Sequence, residues 1–251
     1  SEKVNLGLGY GYSGGFTKYC RIPGEILAIH KRAIWEIPEG LEYEEAAVMD
    51  PICNAYKAIA QRSGLLPGEN VVIFGTGPLG LFSVQIAKIM GALNIVVVGL
   101  EEDVKVRFGV ARQLGATEVV NGSAEDVVQR CQEICGGSDS IGLVVDCAGA
   151  NICLKQAIEM VRCNGEIVRV GMGFKPVGFS INDISMKAVS IIGHMAYDAT
   201  SWRNALQLLA AGRIQVKPMI THRLGLSRWE EGFEAMANKE AIKVILTYDF
   251  D

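Results

Sequence analysis

Three glycines in G-x-G-x-x-G spacing are the residues of this chain whose positions most directly suggest chemistry. They are Gly75, Gly77 and Gly80 in the stretch VVIFGTGPLGLFSVQIAKIMGA, where an apolar run precedes them and a helical pattern follows. In strand–turn–helix units of this kind the first glycine permits the tight bend and the second lets the backbone approach a pyrophosphate. The third allows the helix and strand to pack closely, and the helix N-terminus offers unpaired N–H donors. We therefore predict a dinucleotide site whose turn includes Pro78 and Leu79 as well; a turn used only for packing is the alternative.

The residues after the second predicted strand bear on which nicotinamide cofactor would bind. Dinucleotide folds often place an acid at that strand end, where it binds the ribose hydroxyls. In IVVVGLEEDVKVRF this position holds Gly99, and Glu101, Glu102 and Asp103 follow. A missing acid leaves room for the 2′-phosphate of NADP, but three nearby carboxylates would repel that phosphate. NAD is therefore favoured over NADP, with Asp103 as the candidate ribose ligand or, alternatively, a helix N-cap.

Two further predicted strands end in small residues, in the runs VVDCAGA and VRVGMG. In a doubly wound sheet these carboxyl ends line the ligand crevice, so small residues would leave room for a flat ring against the backbone. Ordinary turn chemistry is the alternative interpretation. The residues predicted to border the nicotinamide are Cys147, Ala148, Gly149, Gly171, Met172 and Gly173.

A regular alternation of strands and helices must position these residues. Apolar runs predict strands at Val71–Phe74, Ile95–Val98, Glu118–Val120, Leu143–Asp146, Glu166–Val170 and Val189–Ile192. Helical patterns separate them at Leu79–Met90, Val104–Leu114, Ala124–Cys135 and Ile152–Val161. Apolar strands without polar alternation, separated by helices, indicate a parallel sheet that is covered on both faces. The predicted fold class is therefore α/β, a doubly wound (Rossmann) parallel sheet.

The flanking segments follow other patterns. Phe16–Ile22 and Ile26–Ile29 are short β-type runs between glycines and prolines, which predict an antiparallel lobe. A helix is predicted from Glu44 through Ile59, with an interruption near Pro51. Near the end of the chain, helices are predicted at Trp202–Ala211 and Ser227–Met236, and a strand at Lys243–Thr247.

Composition excludes some classes of partner. The 251 residues are 49% hydrophobic and 21% charged, with a net charge of -4, which argues against nucleic acid because no basic stripe offsets the acidity. No apolar run reaches the roughly 18 residues needed to span a bilayer, so no membrane partner is expected. Seven cysteines form no tight framework, which indicates free thiols in a reducing cytoplasm.

The chain resembles the zinc-dependent medium-chain alcohol dehydrogenases, in the sorbitol and threonine dehydrogenase-like branch. The resemblance is carried in order by GGFTKYCRIP, MDPICNAYKAI, PGENVVIFGTGPLG, LGATEVVN, VVDCAGA and the tail LLAAGRIQVKPMITHRLGL…GFEAMANKEAIKVIL. It implies that residues 1–45 end an N-terminal catalytic lobe and that residues 46–195 form the dinucleotide domain. Residues 196–251 would then return to the same split, mostly β catalytic domain. The family pattern is matched only from GGF onward, which suggests a fragment that lacks the N-terminal third.

The resemblance also implies where the metal chemistry would lie. The family binds its catalytic zinc through a cysteine and a Gly-His-Glu motif in the N-terminal third, and this sequence contains no Gly-His-Glu. The main zinc ligands are therefore expected upstream, zinc is expected in the intact enzyme but not on this chain alone, and no catalytic residue is assigned. Asp50 in MDPICNA matches the family's acidic residue before proline, whose carboxylate lies beside the zinc. Its alternative role is to cap a helix broken at Pro51.

Other candidate residues have structural interpretations. His30, His194 and His222 each lack a second ligand at metal-binding spacing and are interpreted as surface or packing histidines. Tyr197 and Trp202 are candidates for the edge of a substrate pocket, with a place in the core as the alternative. Cys131 and Cys135 are spaced for one helix face and are interpreted as structural.

The resemblance implies reversible oxidation of a secondary alcohol to a ketone, with hydride passing to the nicotinamide and zinc acting as a Lewis acid. A polyol or sugar alcohol is the first expectation for the substrate and a threonine-like amino alcohol the second. A cofactor-binding fragment without turnover and a zinc-independent quinone or enoyl reductase are the alternatives. Val189–Ile192 is predicted to be an edge strand, which by analogy with relatives suggests a homodimer or homotetramer.

Overall fold

The computed structural model describes residues 7–29 and 33–250, so His30 lies outside the described residues. Two units divide the chain: Glu45–Met219 is continuous, whereas Ser1–Glu44 and Ile220–Asp251 together form a smaller unit. The strands are β1 (Asn70–Phe74), β2 (Ile95–Gly99), β3 (Glu118–Asn121), β4 (Ile141–Asp146), β5 (Glu166–Arg169), β6 (Ser190–Gly193), β7 (Ile220–Gly225) and β8 (Lys243–Thr247). The helices are α1 (Gly24–Ile29), α2 (Tyr43–Ala46), α3 (Met49–Tyr56), α4 (Pro78–Ile89), α5 (Arg107–Leu114), α6 (Val127–Cys135), α7 (Asn151–Met160), α8 (Asn182–Met186), α9 (Ala199–Ala210) and α10 (Trp229–Ala237).

Six parallel strands form the sheet of the larger unit, in the order β3-β2-β1-β4-β5-β6. Every residue of β1, β2 and β4 is buried, because helices cover both faces of the sheet. The chain leaves β1 toward β2 on one side and β4 lies on the other, so the strand order reverses between β1 and β4. The predicted doubly wound parallel sheet is confirmed, and its ligand crevice is expected at the carboxyl ends of these two strands.

The helix at MDPICNAY does not break at Pro51, which corrects the sequence prediction. Pro51 lies in the first turn of α3, where its missing N–H has no intrahelical partner in any case. The interruption falls one turn earlier, between α2 and α3, and α3 continues into a π-helical turn at Lys57–Gln61. Asp50 does not cap α3 either, because the N-cap is Val48 and no side chain caps the helix.

The larger unit extends past the predicted boundary at Met195. It runs to Met219, because α9 packs against α3 and its side chains bond to the end of that helical segment. Asn204 donates from its amide to the Tyr56 hydroxyl at 2.9 Å, and the Ser201 hydroxyl lies 3.1 Å from Gln61 Oε1. The segment from α9 to Met219 therefore belongs to the unit that contains the sheet.

The smaller unit contains a parallel pair, β7 and β8, with α10 between them in the chain and packed against both. This confirms the predicted strand at Lys243–Thr247. The predicted antiparallel strands are wrong: Phe16–Ile22 forms no strand and Ile26–Ile29 lies in α1. Short β-type runs become strands only where a neighbouring strand pairs with them, and no described residues provide that partner here. Among the described residues no helix is long and apolar enough to cross a bilayer.

Candidate functional site

The glycine turn joins β1 to α4, and each of its three glycines has a different environment. Gly75 has a φ of +102°, a conformation that favours glycine, and its N–H donates to the Val98 carbonyl at 2.8 Å. A Cβ on Gly80 would lie 1.9 Å from the carbonyl oxygen of Gly75, so only glycine lets the helix approach the strand this closely. A Cβ on Gly77 would meet no atom within 4 Å. The backbone at Gly77 is therefore open to a ligand.

The N-terminus of α4 begins directly at this opening. Gly77 is its N-cap in an extended conformation, Pro78 occupies the first helical position, and no side chain caps the helix. The first N–H groups and the positive end of the helix dipole of this 12-residue helix are available to an anion, with Leu79 half-buried in the same turn. This open turn fits the pyrophosphate of a dinucleotide.

The loops that follow β4 and β5 pack backbone to backbone beside the glycine turn. A Cβ on Gly171 would lie 2.3 Å from the Gly149 nitrogen, and one on Gly173 would lie 2.2 Å from the Gly149 oxygen. Gly149 itself has a φ of +77° and faces the Met172 carbonyl. On the other side, a Cβ on Gly75 would lie 3.4 Å from the Ala148 nitrogen. The structure therefore brings together the residues that the sequence analysis assigned separately to the pyrophosphate and nicotinamide sides.

A buried ion pair between Asp146 and Arg169 underlies these loops, and the sequence analysis did not identify it. The Asp146 side chain is fully buried, and its Oδ2 lies 2.7 Å from Arg169 Nη1. Its Oδ1 accepts hydrogen bonds from the backbone of Ala148 at 3.0 Å and of Gly149 at 2.8 Å. Burial raises the pKa of the Asp146 carboxyl, and these donors oppose that effect. The sequence signal for this pair was an acid at the end of VVD and a base at the end of VR. In the structure these two residues are partners in register on adjacent strands.

Cys147 lies at the same strand end but has no nucleophilic character. Burial raises the pKa of its thiol to about 12, and its Sγ lies 3.6 Å from the Ser83 hydroxyl. Burial likewise raises the pKa values of Cys131 and Cys135, to about 12 and about 11, and both side chains pack in the core. These three cysteines are therefore protonated packing residues near neutral pH.

Asp103 lies beside the glycine turn although it is four residues beyond the end of β2. Its carboxylate is buried, accepts a hydrogen bond from the Leu100 N–H at 2.8 Å and pairs with Arg107 at 3.4 Å. A Cβ on Gly99 would lie 2.8 Å from Asp103 Oδ2 and 2.8 Å from Thr76 Cγ2. The carboxylate of Asp103 therefore occupies the space that a side chain at position 99 would fill. Asp103 closes the short turn Glu101–Asp103 and does not cap α5.

Asp50 belongs to a polar cluster on one side of α3. Asn54 donates from its amide to the Asp50 carbonyl at 3.0 Å and to Asp50 Oδ2 at 3.4 Å. Burial and the nearby negative charge of Asp50 raise the pKa of Tyr197. His194 Nε2 lies 2.9 Å from Asn54 Oδ1, and the rings of Tyr197 and Trp202 are 5.3 Å apart. The cluster brings together several residues that the sequence analysis weighed one at a time.

The hydrogen bonds of this cluster indicate which ring nitrogen of His194 carries a proton. Because the Asn54 amide nitrogen donates to Asp50, its oxygen faces His194, so Nε2 of His194 carries the proton. Burial, together with Lys57 and Arg62, lowers the pKa of His194. His194 Nδ1 and Trp202 Nε1 are buried without a hydrogen-bond partner in the part of the chain that the structure describes.

The described residues do not by themselves form a zinc site. No group of three or more His, Cys, Asp or Glu side chains among them could hold a metal ion. Asp50 supplies a single carboxylate, and the Asn54 amide already donates to its Oδ2 at 3.4 Å. One oxygen ligand is too few for the four-coordinate geometry that zinc adopts in proteins.

Comparisons with known proteins agree with this arrangement. The sequence model of the family described as "Zinc-binding dehydrogenase" matches residues 78–211. The chain is 72% identical over 252 residues to an uncharacterized zinc-type alcohol dehydrogenase-like protein of Escherichia coli, YdjL, and the match covers 100% of this chain and 70% of that protein. It is 30% identical to a sorbitol dehydrogenase of Halalkalibacterium halodurans, over 96% of this chain and 67% of that enzyme.

A solved structure supports the same relationship. The crystal structure of 2R,3R-butanediol dehydrogenase from Bacillus subtilis superposes with a TM-score of 0.84 at 28% identity, covering 96% of this chain and 67% of that one. The similarity therefore extends over both units of the chain. The chain belongs to the zinc-type alcohol dehydrogenase family of oxidoreductases.

Proposed function

We propose that this chain binds NAD and takes part in hydride transfer between a secondary alcohol and the corresponding ketone. The observation that carries the proposal is the open glycine turn, where Gly77 faces free space and α4 presents an uncapped N-terminus. A turn used only for packing would not leave its middle glycine exposed to a volume that no side chain fills. The residues proposed to bind the pyrophosphate are Gly75, Gly77, Pro78, Leu79 and Gly80.

The loops after β4 and β5 are proposed to hold the nicotinamide. When bound, the nicotinamide ring accepts or donates the hydride. The residues Cys147, Ala148, Gly149, Gly171, Met172 and Gly173 provide a surface of backbone and small side chains against which a flat ring can lie. Their proximity to Gly75 supports this assignment, since one dinucleotide must reach both the glycine turn and these loops.

The position of Asp103 supports NAD over NADP. Its carboxylate fills the space above Gly99 next to Thr76, where the ribose-binding acid of a dinucleotide fold is expected. A 2′-phosphate at this point would face that buried negative charge. NADP remains the alternative, because Arg107 lies beside the same carboxylate and a basic residue there can accommodate a phosphate.

We further propose a polyol or another secondary alcohol as the substrate, with a threonine-like amino alcohol as the second candidate. The similarities to a sorbitol dehydrogenase and a butanediol dehydrogenase support this choice. In the chain itself, Asp50 and Tyr197 form a polar cluster that could bind a hydroxyl-rich molecule. Asp50 is also proposed to lie near the zinc that the resemblance implies.

A homodimer or homotetramer is part of the proposal. β6 lies at the edge of the six-stranded sheet, and Ser190 and Ile191 on it are exposed. An unpaired edge with an apolar residue invites pairing with another chain. Light scattering at micromolar concentration should give a multiple of the 27.1 kDa chain mass, and a mass of one chain would contradict this part of the proposal.

The seven free cysteines support a reducing compartment such as the cytoplasm.

The experiment that tests the function combines binding and turnover on one sample. Calorimetric titration with NADH, NADPH and ADP-ribose measures nucleotide binding, and an assay with a panel of polyols and amino alcohols measures dehydrogenase activity. Binding of NADH with oxidation of a secondary alcohol is the expected result. NADH binding without turnover would favour a cofactor-binding chain, and NADPH-dependent reduction of enones would favour a quinone or enoyl reductase. No binding of any nucleotide would refute the proposal.

A further inference from the structure

We infer that Arg169 and Asp146 are positioning residues for the nicotinamide half of the cofactor, an inference that rests on the proposed function. The two side chains bond directly to the backbone of the loop after β4, which is proposed to border the ring. Arg169 is about one fifth exposed, with 21% of its side-chain surface accessible, and Asp146 is fully buried. Their effect on the ligand must therefore pass through the backbone of the loops.

Asp146 determines the conformation of the first loop directly. One carboxylate oxygen, Oδ1, accepts both the Ala148 N–H at 3.0 Å and the Gly149 N–H at 2.8 Å. These bonds turn the chain sharply after β4 and hold Gly149 at a φ of +77°. The loop that would face the ring is thus shaped by a single buried acid.

The second loop is tied to the same residue through the main chain. The N–H groups of Val170 and Gly171 donate to the Asp146 carbonyl at 2.9 Å and 2.8 Å. Gly171 and Gly173 then contact Gly149 so closely that no Cβ would fit. A shift of the first loop would therefore displace the second, and both would lose their places beside the glycine turn.

Arg169 connects the two loops with a geometry that lysine cannot reproduce. Its Nη1 donates to Asp146 Oδ2 at 2.7 Å, while Nη2 donates to the Gly149 carbonyl at 2.6 Å. The two acceptors belong to residues three positions apart in the chain, and the planar guanidinium group reaches both at once. A lysine ammonium could keep the ion pair but is a single point charge without the fork geometry.

A second ion pair, at the opposite end of the strands of the same sheet, provides a matched control. Arg162 Nη2 lies 2.7 Å from Glu69 Oε1, the same distance as in the Asp146–Arg169 pair. Glu69 precedes β1 and Arg162 precedes β5, so this pair joins the amino ends of the strands, away from the loops that would bind the ligand. If tying strands of the sheet together were the whole role of such pairs, both would affect nucleotide binding equally little.

The test compares Arg169→Lys with Arg162→Lys in two calorimetric titrations, one with NAD and one with ADP-ribose, which lacks the nicotinamide. We expect Arg169→Lys to weaken NAD binding by about tenfold, the value of one hydrogen bond from a charged donor, and to change ADP-ribose binding by less than about twofold. Arg162→Lys should leave both affinities within about twofold of the wild type. Circular dichroism and thermal melting verify that each variant is folded.

The other outcomes separate this inference from the proposed function. Arg169→Lys with unchanged NAD affinity, or with equal losses for NAD and ADP-ribose, would overturn the positioning role and leave nucleotide binding intact. A wild-type chain that binds neither ligand would overturn the proposed function and the inference with it. If Arg169→Lys does not fold, Asp146→Asn is the second variant. Its amide oxygen can still accept the loop N–H groups, but its NH2 group would face Arg169 and break the ion pair, so the same selective loss of NAD affinity is expected.

Discussion

A single added methyl group at Gly80 should destabilise the fold more than most surface substitutions do. In Gly80→Ala the new Cβ would lie 1.9 Å from the Gly75 carbonyl oxygen and 2.9 Å from its carbonyl carbon. Carbon and oxygen atoms approach one another to about 3.3 Å even in weak hydrogen bonds, so α4 would have to move away from the turn by more than about 1 Å. Eight consecutive residues of α4, from Gly80 to Ala87, are buried, and this movement would disturb their packing.

The expected cost follows from overpacking of a close-packed core. Inserted groups of this size cost about 1–3 kcal/mol and more where the contact is with backbone, so we expect the free energy of unfolding to fall by about 3 kcal/mol. Urea titration followed by circular dichroism measures this quantity, with the slope of the transition showing whether two-state behaviour is retained.

Gly77→Ala is the matched variant, two residues away in the same motif. Its Cβ would meet no atom within 4 Å and its φ is -73°, so alanine fits the backbone. The free energy of unfolding should change by less than about 1 kcal/mol, because the poorer N-cap and the less flexible unfolded chain have opposite effects. The methyl group would, however, project into the space proposed for the pyrophosphate, and NADH affinity should fall by at least about tenfold.

The two variants distinguish a packing role of the turn from a role in nucleotide binding. A Gly80→Ala protein as stable as the wild type would show that the helix and turn are not packed as described. A folded Gly77→Ala protein with undiminished NADH affinity would show that the nucleotide does not lie against this glycine. Loss of stability in both variants would mean that the turn serves packing alone.

Three further predictions concern other parts of the larger unit. Asp198 caps α9 by accepting the Ser201 N–H at 2.9 Å, so Asp198→Ala should lower the free energy of unfolding by about 1 kcal/mol in urea titration, whereas Asp198→Asn should retain most of it. Iodoacetamide at about pH 8 should label exposed Cys163 and leave Cys147, whose thiol pKa is about 12, unmodified in peptide mass spectrometry; rapid labelling of Cys147 would contradict its raised pKa. The pKa of His194 is lowered in the folded chain, so its neutral form contributes stability that is present above about pH 6.5 and is lost as the pH falls below that value. Replacing it by non-titrating glutamine in His194→Gln should flatten this part of the stability profile, and an unchanged profile would refute the assignment.

Much of the larger unit follows from local properties of the sequence. The runs that became β1, β2 and β4 are apolar without alternation, and a segment of that kind is stable as a strand only when both faces are covered. Gly75, Gly77 and Gly80 predict the turn because glycine alone tolerates the positive φ at the first position and the backbone contact at the third. These inferences concern neighbouring residues, whose preferences act in any tertiary context.

Other features depend on contacts that local preferences do not contain. Phe16–Ile22 has β propensity but no partner strand among the described residues. Pro51 lies in the first turn of α3, and the break in the helix that the pattern placed near Pro51 falls one turn earlier. The closeness of Asp103 to Gly99 was decided by the fold of the intervening turn.

The ion pair between Asp146 and Arg169 depends both on what the sequence determines and on what only the tertiary structure decides. The sequence alone placed an acid at the end of the predicted strand Leu143–Asp146 and a base within the predicted strand Glu166–Val170. Only the tertiary structure decided that these strands are neighbours in register, and that the arginine reaches both the acid and the Gly149 carbonyl. The physical reason is that strand propensity is a property of a few adjacent residues, whereas burial of a charge requires a partner brought from elsewhere in the chain.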